Sequence, residues 1–320
     1  MPIRDYVVAA PERTGFAADV AEYLQRRPRQ LPSRYLYDAL GSALFDAICQ
    51  LPWYRVTRSE MALLSRHAPH ILGGRPRPPN VAELGCGNGD KLAMLLERGG
   101  TSVQHVHLID ISKTALDHAR SRIGTVPCSR VTAFQGTYEE GLDQLASVRG
   151  DGAWLVLFLG SNIGNFDPAA AHALLRQMHR SLEDGDALLL GADLVKPERE
   201  LLRAYDDPLQ VTAAFNRNLL QRINTELGGT FDLSGFRHRA VWNDGAGRVE
   251  MHLVCTRRQV VRIEAVDMTI TFERDDWIWT ESSYKWDADA IVAEGQAAGF
   301  REAGQWIDDT AGFALTRFVV

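Results

Sequence analysis

Between residues 80 and 190 the chain alternates short apolar runs with amphipathic stretches, and this alternation constrains the fold more than any other feature. The apolar runs have the length and composition of strands buried in a parallel sheet, and they lie at 80–84, 105–109, 131–134, 154–159 and 187–190. The stretches between them carry apolar residues three and four positions apart, as helices do. The sequence therefore predicts an α/β fold with a Rossmann-like, doubly wound sheet.

Residues 196–286 interrupt this alternation. Asp207-Pro208 predicts the start of a helix whose apolar residues recur every four positions up to Gly228. Four strand-like runs follow, at 236–242, 248–256, 259–263 and 268–272. The turn-forming run 243–247 joins the first two of them as a hairpin.

The last part of the chain predicts a return to the main sheet, with a helix at 289–298 and a closing hairpin within 301–319. We therefore assign residues 61–195 and 287–320 to a ligand-binding sheet domain, and residues 1–60 and 196–286 to an inserted α+β accessory domain that binds the substrate. The Gly- and Pro-rich run 73–79 is the clearest predicted linker, because neither residue type continues a helix.

Charge and cysteine content restrict the partners and the compartment. The 35 basic and 41 acidic residues give a net charge of −6, so we expect no general attraction to nucleic acid or to an anionic membrane. The 4 cysteines are far apart and show no zinc-ligand spacing, which favours reduced thiols. No apolar stretch approaches the ~20 residues that span a bilayer, and no apolar signal segment opens the chain. We expect a soluble, cytoplasmic monomer.

The end of the first predicted strand carries the most specific motif, Glu83-Leu84-Gly85-Cys86-Gly87-Asn88-Gly89. Its GxGxG spacing differs from the GxGxxG of dinucleotide binders and suits a ligand with a small zwitterionic tail, such as the methionine end of S-adenosylmethionine. The second predicted strand ends in Asp110, where a carboxylate can accept both ribose hydroxyls. The alternative is that the glycines form only a tight turn.

The fourth predicted strand leads into Gly160-Ser161-Asn162-Ile163-Gly164-Asn165. This loop follows a strand across the expected cofactor cleft, where a methyl acceptor would lie. Asn162 and Asn165 offer amide donors and acceptors to such a substrate. Asparagine in a loop also serves ordinary turn formation, and that alternative stays open.

These motifs and several longer strings resemble the histidine Nα-methyltransferases of ergothioneine biosynthesis, S-adenosylmethionine-dependent enzymes that convert histidine to its trimethylated betaine, hercynine. The resemblance covers nearly the whole chain. It is strongest in the strings at 157–165, 190–196, 204–207, 211–216 and 280–283. It implies a class I methyltransferase fold, S-adenosylmethionine as the cofactor and a small-molecule amino acid as the substrate.

The resemblance also implies roles for individual residues. The residues at the cofactor would be Glu83, Gly85, Gly87, Lys91, Asp110, Thr137 and Tyr138. The α-amino and carboxylate groups of the substrate would be held by Asn165, Tyr205, Tyr37 and Gly160. The imidazole would be faced by Glu281 and Ser283, with Met251 and Phe215 in the pocket wall. Met251 and Phe215 also fit ordinary core patterns, so core packing is an equal alternative for these two.

Two positions depart from the family pattern. Arg55 stands where the family commonly has a tyrosine used against the imidazole, and Tyr54 is the residue that could take its place. Thr137 stands where the family has an acidic residue near the adenine. The Arg55 departure motivates an alternative function, a related N-methyltransferase for another amino acid or amine. A non-catalytic S-adenosylmethionine-binding regulator is a second alternative, and RNA or protein methylation a third.

The predicted reaction is the in-line transfer of a methyl group from a sulfonium to an α-amine. We assign catalysis to Asn165, Tyr205 and Tyr37, mainly through positioning. Either tyrosine could also take up the proton that the amine loses, although a phenol is a weak base. We predict no metal, because the pairs His67 with His70 and His105 with His107 lack further ligands.

Overall fold

The computed structural model describes residues 6–8, 13–73, 79–100, 102–126, 128–149 and 152–320. Residues 74–78 of the predicted linker, and residues 1–5 and 9–12 of the predicted accessory domain, lie outside the described residues. The chain divides into two units, which are described in turn.

The strands are β1 (Tyr6–Val8), β2 (Arg29–Gln30), β3 (Asn80–Leu84), β4 (Val103–Asp110), β5 (Cys128–Gln135), β6 (Trp154–Phe158), β7 (Ala187–Asp193), β8 (Phe236–Asn243), β9 (Arg248–Cys255), β10 (Gln259–Ile263), β11 (Met268–Phe272), β12 (Trp277–Tyr284), β13 (Arg301–Asp308) and β14 (Phe313–Val319). The α-helices are α1 (Arg13–Tyr23), α2 (Ala39–Gln50), α3 (Val56–Leu72), α4 (Asp90–Gly99), α5 (Lys113–Ile123), α6 (Tyr138–Val148), α7 (Pro168–Ser181), α8 (Glu198–Tyr205), α9 (Val211–Leu227) and α10 (Ala288–Ala297). None of these helices has both the length and the apolar character needed to cross a membrane.

The first unit holds an eight-stranded sheet in the order β1-β5-β4-β3-β6-β7-β14-β13. The strands from β1 to β7 in this order are parallel, whereas β14 is antiparallel to both β7 and β13. Successive strands run outward from β3 in both directions, so the strand order reverses between β3 and β6. This confirms the predicted doubly wound sheet and its closing hairpin.

The sheet forms where the sequence is apolar, and its helices begin at capping residues. Every residue of β3, β6 and β7 is buried, as expected of strands covered on both faces. Ser112 accepts a hydrogen bond from the Ala115 N–H at the start of α5. Asp167 caps α7 in the same way and is followed by Pro168 at the first helical position, as predicted.

The chain leaves the first unit and returns to it at neighbouring positions. Leu194 and Trp286 form a parallel bridge, so the chain departs after β7 and returns beside its own exit. The buried Lys285 Nζ lies 2.9 Å from the Asp193 carboxylate. The first unit includes all of α3, which places the boundary at Val56. The boundary predicted after residue 60 falls inside this helix, whereas the two units divide just before the helix begins.

The second unit, described over residues 13–55 and 196–284, combines helices with a small sheet in the order β2-β12-β9-β8. Strands β8, β9 and β12 are antiparallel neighbours, while β2 pairs with β12 in parallel. The hairpin between β8 and β9 turns at Asn243, whose side chain accepts the Ala246 N–H, and the predicted turn is confirmed. Strands β10 and β11, both predicted as strands, pair as a separate antiparallel hairpin.

Two of the differences from the sequence prediction concern elements that carry predicted site residues. The helix expected from Pro208 begins at Val211, because Gln210 has φ 61° and interrupts the helical backbone. Asp207 still caps it, since its carboxylate accepts the N–H groups of Val211 and Thr212. Strand β12 was not predicted. Its sequence mixes aromatic and polar residues, and its partners β9 and β2 are distant in the chain.

A polar cluster lies inside the first unit between β4 and β5. The Thr132 hydroxyl is 2.7 Å from His105 Nε2 and 2.6 Å from His107 Nδ1. One hydroxyl can donate to one ring and accept from the other, so two neutral imidazoles satisfy it. Burial lowers the pKa of each histidine to about 4, with further lowering by Arg130.

We expect these histidines to make folding acid-sensitive. Their pKa values lie below the 6.5 of an ordinary histidine, so the unfolded chain binds more protons and stability falls as the pH drops from 6.5 towards 4. From about pH 7.5 to about pH 5, each histidine should account for about 2 kcal/mol, so the wild type should lose on the order of 4 kcal/mol more unfolding free energy than the His105→Val/His107→Val double variant. Urea titrations measure both losses, and equal losses would contradict the assignment.

Candidate functional site

The loop after β3 is built from glycines that no other residue could replace without strain. Gly85, Gly87 and Gly89 have φ of 73°, 52° and 80°, in the left-handed region. A Cβ at Gly85 would lie 2.7 Å from the Asn162 amide nitrogen, and one at Gly89 would lie 2.8 Å from the backbone of Ala119. A Cβ at Gly87 would meet nothing within 4 Å, so the loop faces open space at its centre.

Asp110 is the last residue of β4, and its carboxylate holds this loop. It accepts the Gly87 N–H at 3.0 Å and the Ser112 N–H at 2.8 Å. Burial raises the pKa of Asp110, and these two backbone donors oppose the rise. The predicted strand-end carboxylate thus lies against the glycine loop and stabilises its conformation.

Glu83 brings a second carboxyl group to the base of the same loop. Burial raises its pKa to about 8, with Lys91 opposing the shift and Glu60 and Asp110 adding to it. Its Oε2 atom has no hydrogen-bond partner among the described residues. At neutral pH this carboxyl is therefore mainly protonated and can donate a hydrogen bond, which an ionised carboxylate cannot do.

Tyr138 and Thr137 follow β5 at the start of α6. The Tyr138 ring packs edge-on against Phe158 with centroids 5.0 Å apart, and its hydroxyl would lie 3.2 Å from a Cβ at Gly85. Burial raises the pKa of this phenol. Thr137 forms a capping box with Glu140, so its hydroxyl accepts the Glu140 N–H.

Glu60 ties together two of the predicted site residues and was missed by the sequence analysis. Its fully buried carboxylate lies 2.5 Å from Lys91 Nζ and accepts the Gly160 N–H with both oxygens, at 2.8 and 2.9 Å. A Cβ at Gly191 would lie 2.1 Å from it, so that glycine makes room for the carboxylate. The available signal was a glutamate on the apolar face of α3, in helical register with Val56 and Leu64.

The loop after β6 is also held in a left-handed conformation, with φ of 76° at Gly160 and 58° at Ser161. The Ser161 hydroxyl accepts the Asp193 N–H at 2.9 Å, which compensates for the strain of a non-glycine residue there. A short turn over Asn162–Asn165 follows. The structure therefore brings the Asn162 side chain next to Gly85 and leaves Asn165 half-buried at the end of the turn.

In the second unit, the predicted substrate residues form an aromatic cluster. The Tyr205 hydroxyl is 2.7 Å from the Ser283 hydroxyl, and its ring lies edge-on to Tyr54 with centroids 6.3 Å apart. Tyr37 contacts Phe215 in the same manner at 5.5 Å. Phe215 is buried with 2% of its surface exposed, as expected of a wall or core residue.

A bulge in β12 decides which face of the sheet Glu281 occupies. Trp279 pairs with His252 of β9, but Glu281 pairs with Met251, the next residue along β9. The extra residue, Thr280, therefore moves Glu281 to the face of Met251 and leaves Trp279 on the opposite face. Ser283 pairs with Val249 and so shares the face of Glu281.

Arg55 forms an ion pair with Glu200 on α8. The residue that packs against Tyr205 is Tyr54, which is buried with 7% of its surface exposed. The neighbouring tyrosine thus supplies an aromatic ring to the cluster, and the guanidinium of Arg55 is paired with a carboxylate outside the string 280–283 that was predicted to face the imidazole.

The histidine pairs considered as metal ligands have other contacts. The His67 ring stacks on Trp306 with centroids 5.2 Å apart, and His105 and His107 share Thr132. Within the part of the chain that the structure describes, no three histidine, cysteine, aspartate or glutamate side chains are arranged to hold a metal ion.

The family model described as "Histidine-specific methyltransferase, SAM-dependent" matches residues 16–320. A Mycolicibacterium smegmatis protein named histidine N-alpha-methyltransferase is 38% identical over 319 residues, covering 99% of this chain and 98% of that protein. A Neurospora crassa protein named ergothioneine biosynthesis protein 1 is 28% identical and covers 87% of this chain but 32% of its own length. An Aspergillus fumigatus protein named N-methyltransferase fsqC is 27% identical, covering 93% of this chain and 82% of that protein.

Asp110→Ala should weaken binding of S-adenosylhomocysteine at least about tenfold, since charge-assisted hydrogen bonds contribute about 1.5–3 kcal/mol each and 1.4 kcal/mol is a decade. Isothermal calorimetry measures the change. Asp117→Ala is the matched control, because Asp117 is an exposed residue of α5 paired with Lys113. An unaltered affinity in a folded Asp110→Ala protein would remove this residue from the cofactor site.

Glu60→Gln should destabilise the fold by about 3 kcal/mol, because it leaves the Lys91 ammonium without its buried counter-charge. The Glu60→Gln/Lys91→Met double variant should recover part of this loss, since neither charge then remains. Glu97→Gln, which removes an exposed pair with Arg122, should cost below about 1 kcal/mol. Urea unfolding compares these variants with the wild type, and a double variant no more stable than Glu60→Gln would contradict the coupling.

Proposed function

The chain belongs to the family of histidine-specific, S-adenosylmethionine-dependent methyltransferases, and we propose that it methylates the α-amine of L-histidine up to the trimethylated betaine. It is a methyltransferase with the class I, Rossmann-like sheet. The observation that carries the choice of histidine is that Glu281 and Ser283 lie on the same face of the accessory sheet. The chain's relatives include a protein named histidine N-alpha-methyltransferase.

The first unit fits the cofactor, S-adenosylmethionine. Gly87 faces open space, Glu83 presents a buried oxygen with no partner among the described residues, and Asp110 lies beside the loop. We propose that Glu83, Gly85, Gly87 and Lys91 border the methionine portion, Asp110 the ribose, and Thr137 and Tyr138 the adenine. When bound, the cofactor supplies an electrophilic methyl group on a sulfonium.

The proposed contacts to the amino acid come from polar groups that need no charge of their own. Tyr205 and Tyr37 would orient the carboxylate and the amine, and Asn165 and the Gly160 backbone would hold the amine. The hydrogen bond between Tyr205 and Ser283 supports a fixed position for the phenol. Glu281 would accept the imidazole N–H, with Tyr54, Met251 and Phe215 lining the ring.

Catalysis in this proposal is mainly positioning. An amine reacts only when its lone pair points at the methyl carbon and water is kept away, and held side chains supply that order in advance. The amine must lose one proton for each transfer. Tyr205 and Tyr37 have weakly basic phenols, so we assign them orientation first and transient proton uptake second.

A second candidate, N-methylation of a different amino acid or amine, is favoured by one observation. Arg55 replaces a family tyrosine, and the fungal relative is named only as an N-methyltransferase. The assay that separates the two incubates the protein with S-adenosylmethionine and each of the twenty amino acids and reads product masses. We expect mono-, di- and trimethylated histidine, and preferential methylation of another amino acid would overturn the proposal. The monomeric state and the cytoplasmic location stay predictions.

Glu281→Ala should reduce the preference for histidine over phenylalanine, measured as the ratio of kcat/KM values, by on the order of 100-fold or more. Phenylalanine has no N–H to donate to the Glu281 carboxylate, so the substitution removes a hydrogen bond that only histidine is proposed to make. Glu273→Ala is the matched control, because Glu273 is exposed in the same unit and paired with Arg258. A histidine preference that survives Glu281→Ala would assign the selection to other residues.

A further inference from the structure

A hydrogen-bonded chain in the second unit ends on the backbone of Tyr205. Tyr205 is the last residue of α8, where helical carbonyl groups lose their partners in the next turn. Its carbonyl oxygen is 2.7 Å from Nε2 of His238, on β8. On the other side of the ring, His238 Nδ1 is 2.9 Å from the side-chain nitrogen of Asn216, on α9.

The orientation of the Asn216 amide is fixed by a third group. Asn216 is fully buried, and its Nδ2 atom also donates to the backbone carbonyl of His252 at 3.3 Å. Rotating the amide by half a turn would set its oxygen against that carbonyl, two acceptors facing each other. Its Oδ1 atom has no hydrogen-bond partner among the described residues, so the observed orientation leaves one buried acceptor unsatisfied.

This orientation determines the state of the imidazole. Both hydrogens of Nδ2 are used, one towards His252 and one towards His238 Nδ1, so Nδ1 must be an acceptor without a proton. The Tyr205 carbonyl can only accept, so Nε2 must carry the proton. A charged imidazolium would place an N–H against the Asn216 donor and is excluded by the same geometry.

Burial favours the neutral form of His238, and the charged groups around it act in both directions. Burial lowers the pKa of His238, and the neighbouring Arg217 lowers it further. Asp206 and Asp207 and the Tyr205 carbonyl act in the opposite direction. Asn216 therefore opposes a protonation that two adjacent carboxylates would otherwise promote.

We propose that His238 is a positioning residue for the amino-acid substrate: held neutral and Nε2-protonated by Asn216, it caps the end of α8 and thereby fixes the phenol of Tyr205. Tyr205 is then restrained at three points, by its carbonyl, by its hydroxyl on Ser283 and by its ring on Tyr54. This inference rests on the proposed function, in which Tyr205 contacts the substrate. It gives no role in the reaction itself to the imidazole.

The first test reads the imidazole directly. Nitrogen-15 NMR of the full chain labelled in histidine should show a His238 ring with protonated Nε2 and unprotonated Nδ1 at neutral pH, assigned by its loss in His238→Gln. In Asn216→Asp, a carboxylate replaces the donor, and the ring should take up a second proton. A wild-type ring with the proton on Nδ1, or with both nitrogens protonated, would overturn the proposal whatever the enzyme methylates.

The second test is kinetic. His238→Phe keeps a ring but removes the donor, and it should raise KM for histidine about tenfold while kcat and the affinity for S-adenosylhomocysteine change less than about twofold. His238→Gln keeps an N–H near the Nε2 position and should restore KM to within about threefold of wild type. In a Tyr205→Phe background, which lacks the hydroxyl, His238→Phe should have little further effect on KM. An unchanged KM in His238→Phe would overturn the inference.

The two failures are distinguishable. If the proposed function is wrong, the wild type will not methylate histidine, whereas the NMR result still tests His238. If only the inference is wrong, the wild type methylates histidine and the His238 variants bind it normally. Should His238→Phe not fold, Asn216→Ala and His238→Gln provide the NMR and KM comparisons. An Arg237→Gln control, at an exposed position of the same strand, should match the wild type in both tests.

Discussion

The reversal of strand order between β3 and β6 is the constraint on which the first unit depends. Parallel strands end at the same edge of a sheet, and loops on either side of a reversal turn away from each other and leave a crevice between them. Strand order therefore suffices to place three features at the same edge of the sheet: the glycine loop after β3, Asp110 at the end of β4, and the Gly160 loop after β6. Glu60 then holds the last of these loops to Lys91 through one buried carboxylate.

What the sequence predicted correctly is what short-range chemistry determines. Buried parallel strands need unbroken apolar runs, Asp167-Pro168 caps a helix, and left-handed turns require glycine at 85, 87 and 89. The start of α9 was wrong by three residues, because Gln210 adopts a conformation that no sequence pattern marks and that Asp207 stabilises from outside the helix. The boundary predicted after residue 60 falls inside α3, because composition does not mark the start of that helix at Val56.

The remaining parts depend on residues far apart in sequence. Strand β12 exists because β9 and β2 offer it pairing partners, and its own residues show neither clean alternation nor a continuous apolar run. Glu60 and Asn216 look like ordinary polar residues in helices until burial and distant partners are known. The resemblance to a known family supplied the proposed substrate residues, but the register that sets their orientation is visible only in the folded chain.

Because Thr280 forms a bulge, the residue of β12 that faces Met251 depends on the number of residues in the paired strands as well as on the residue types. One residue inserted in β9 opposite Thr280 would restore regular pairing, and Trp279 and Glu281, two positions apart in β12, would then fall on the same face. To one side of Thr280, the side chains on the two faces of β12 would then be exchanged without any substitution at position 279 or 281. A single inserted residue in β9 would therefore change the side chain that faces the partner strand, a route that comparison of aligned residues in β12 alone would overlook.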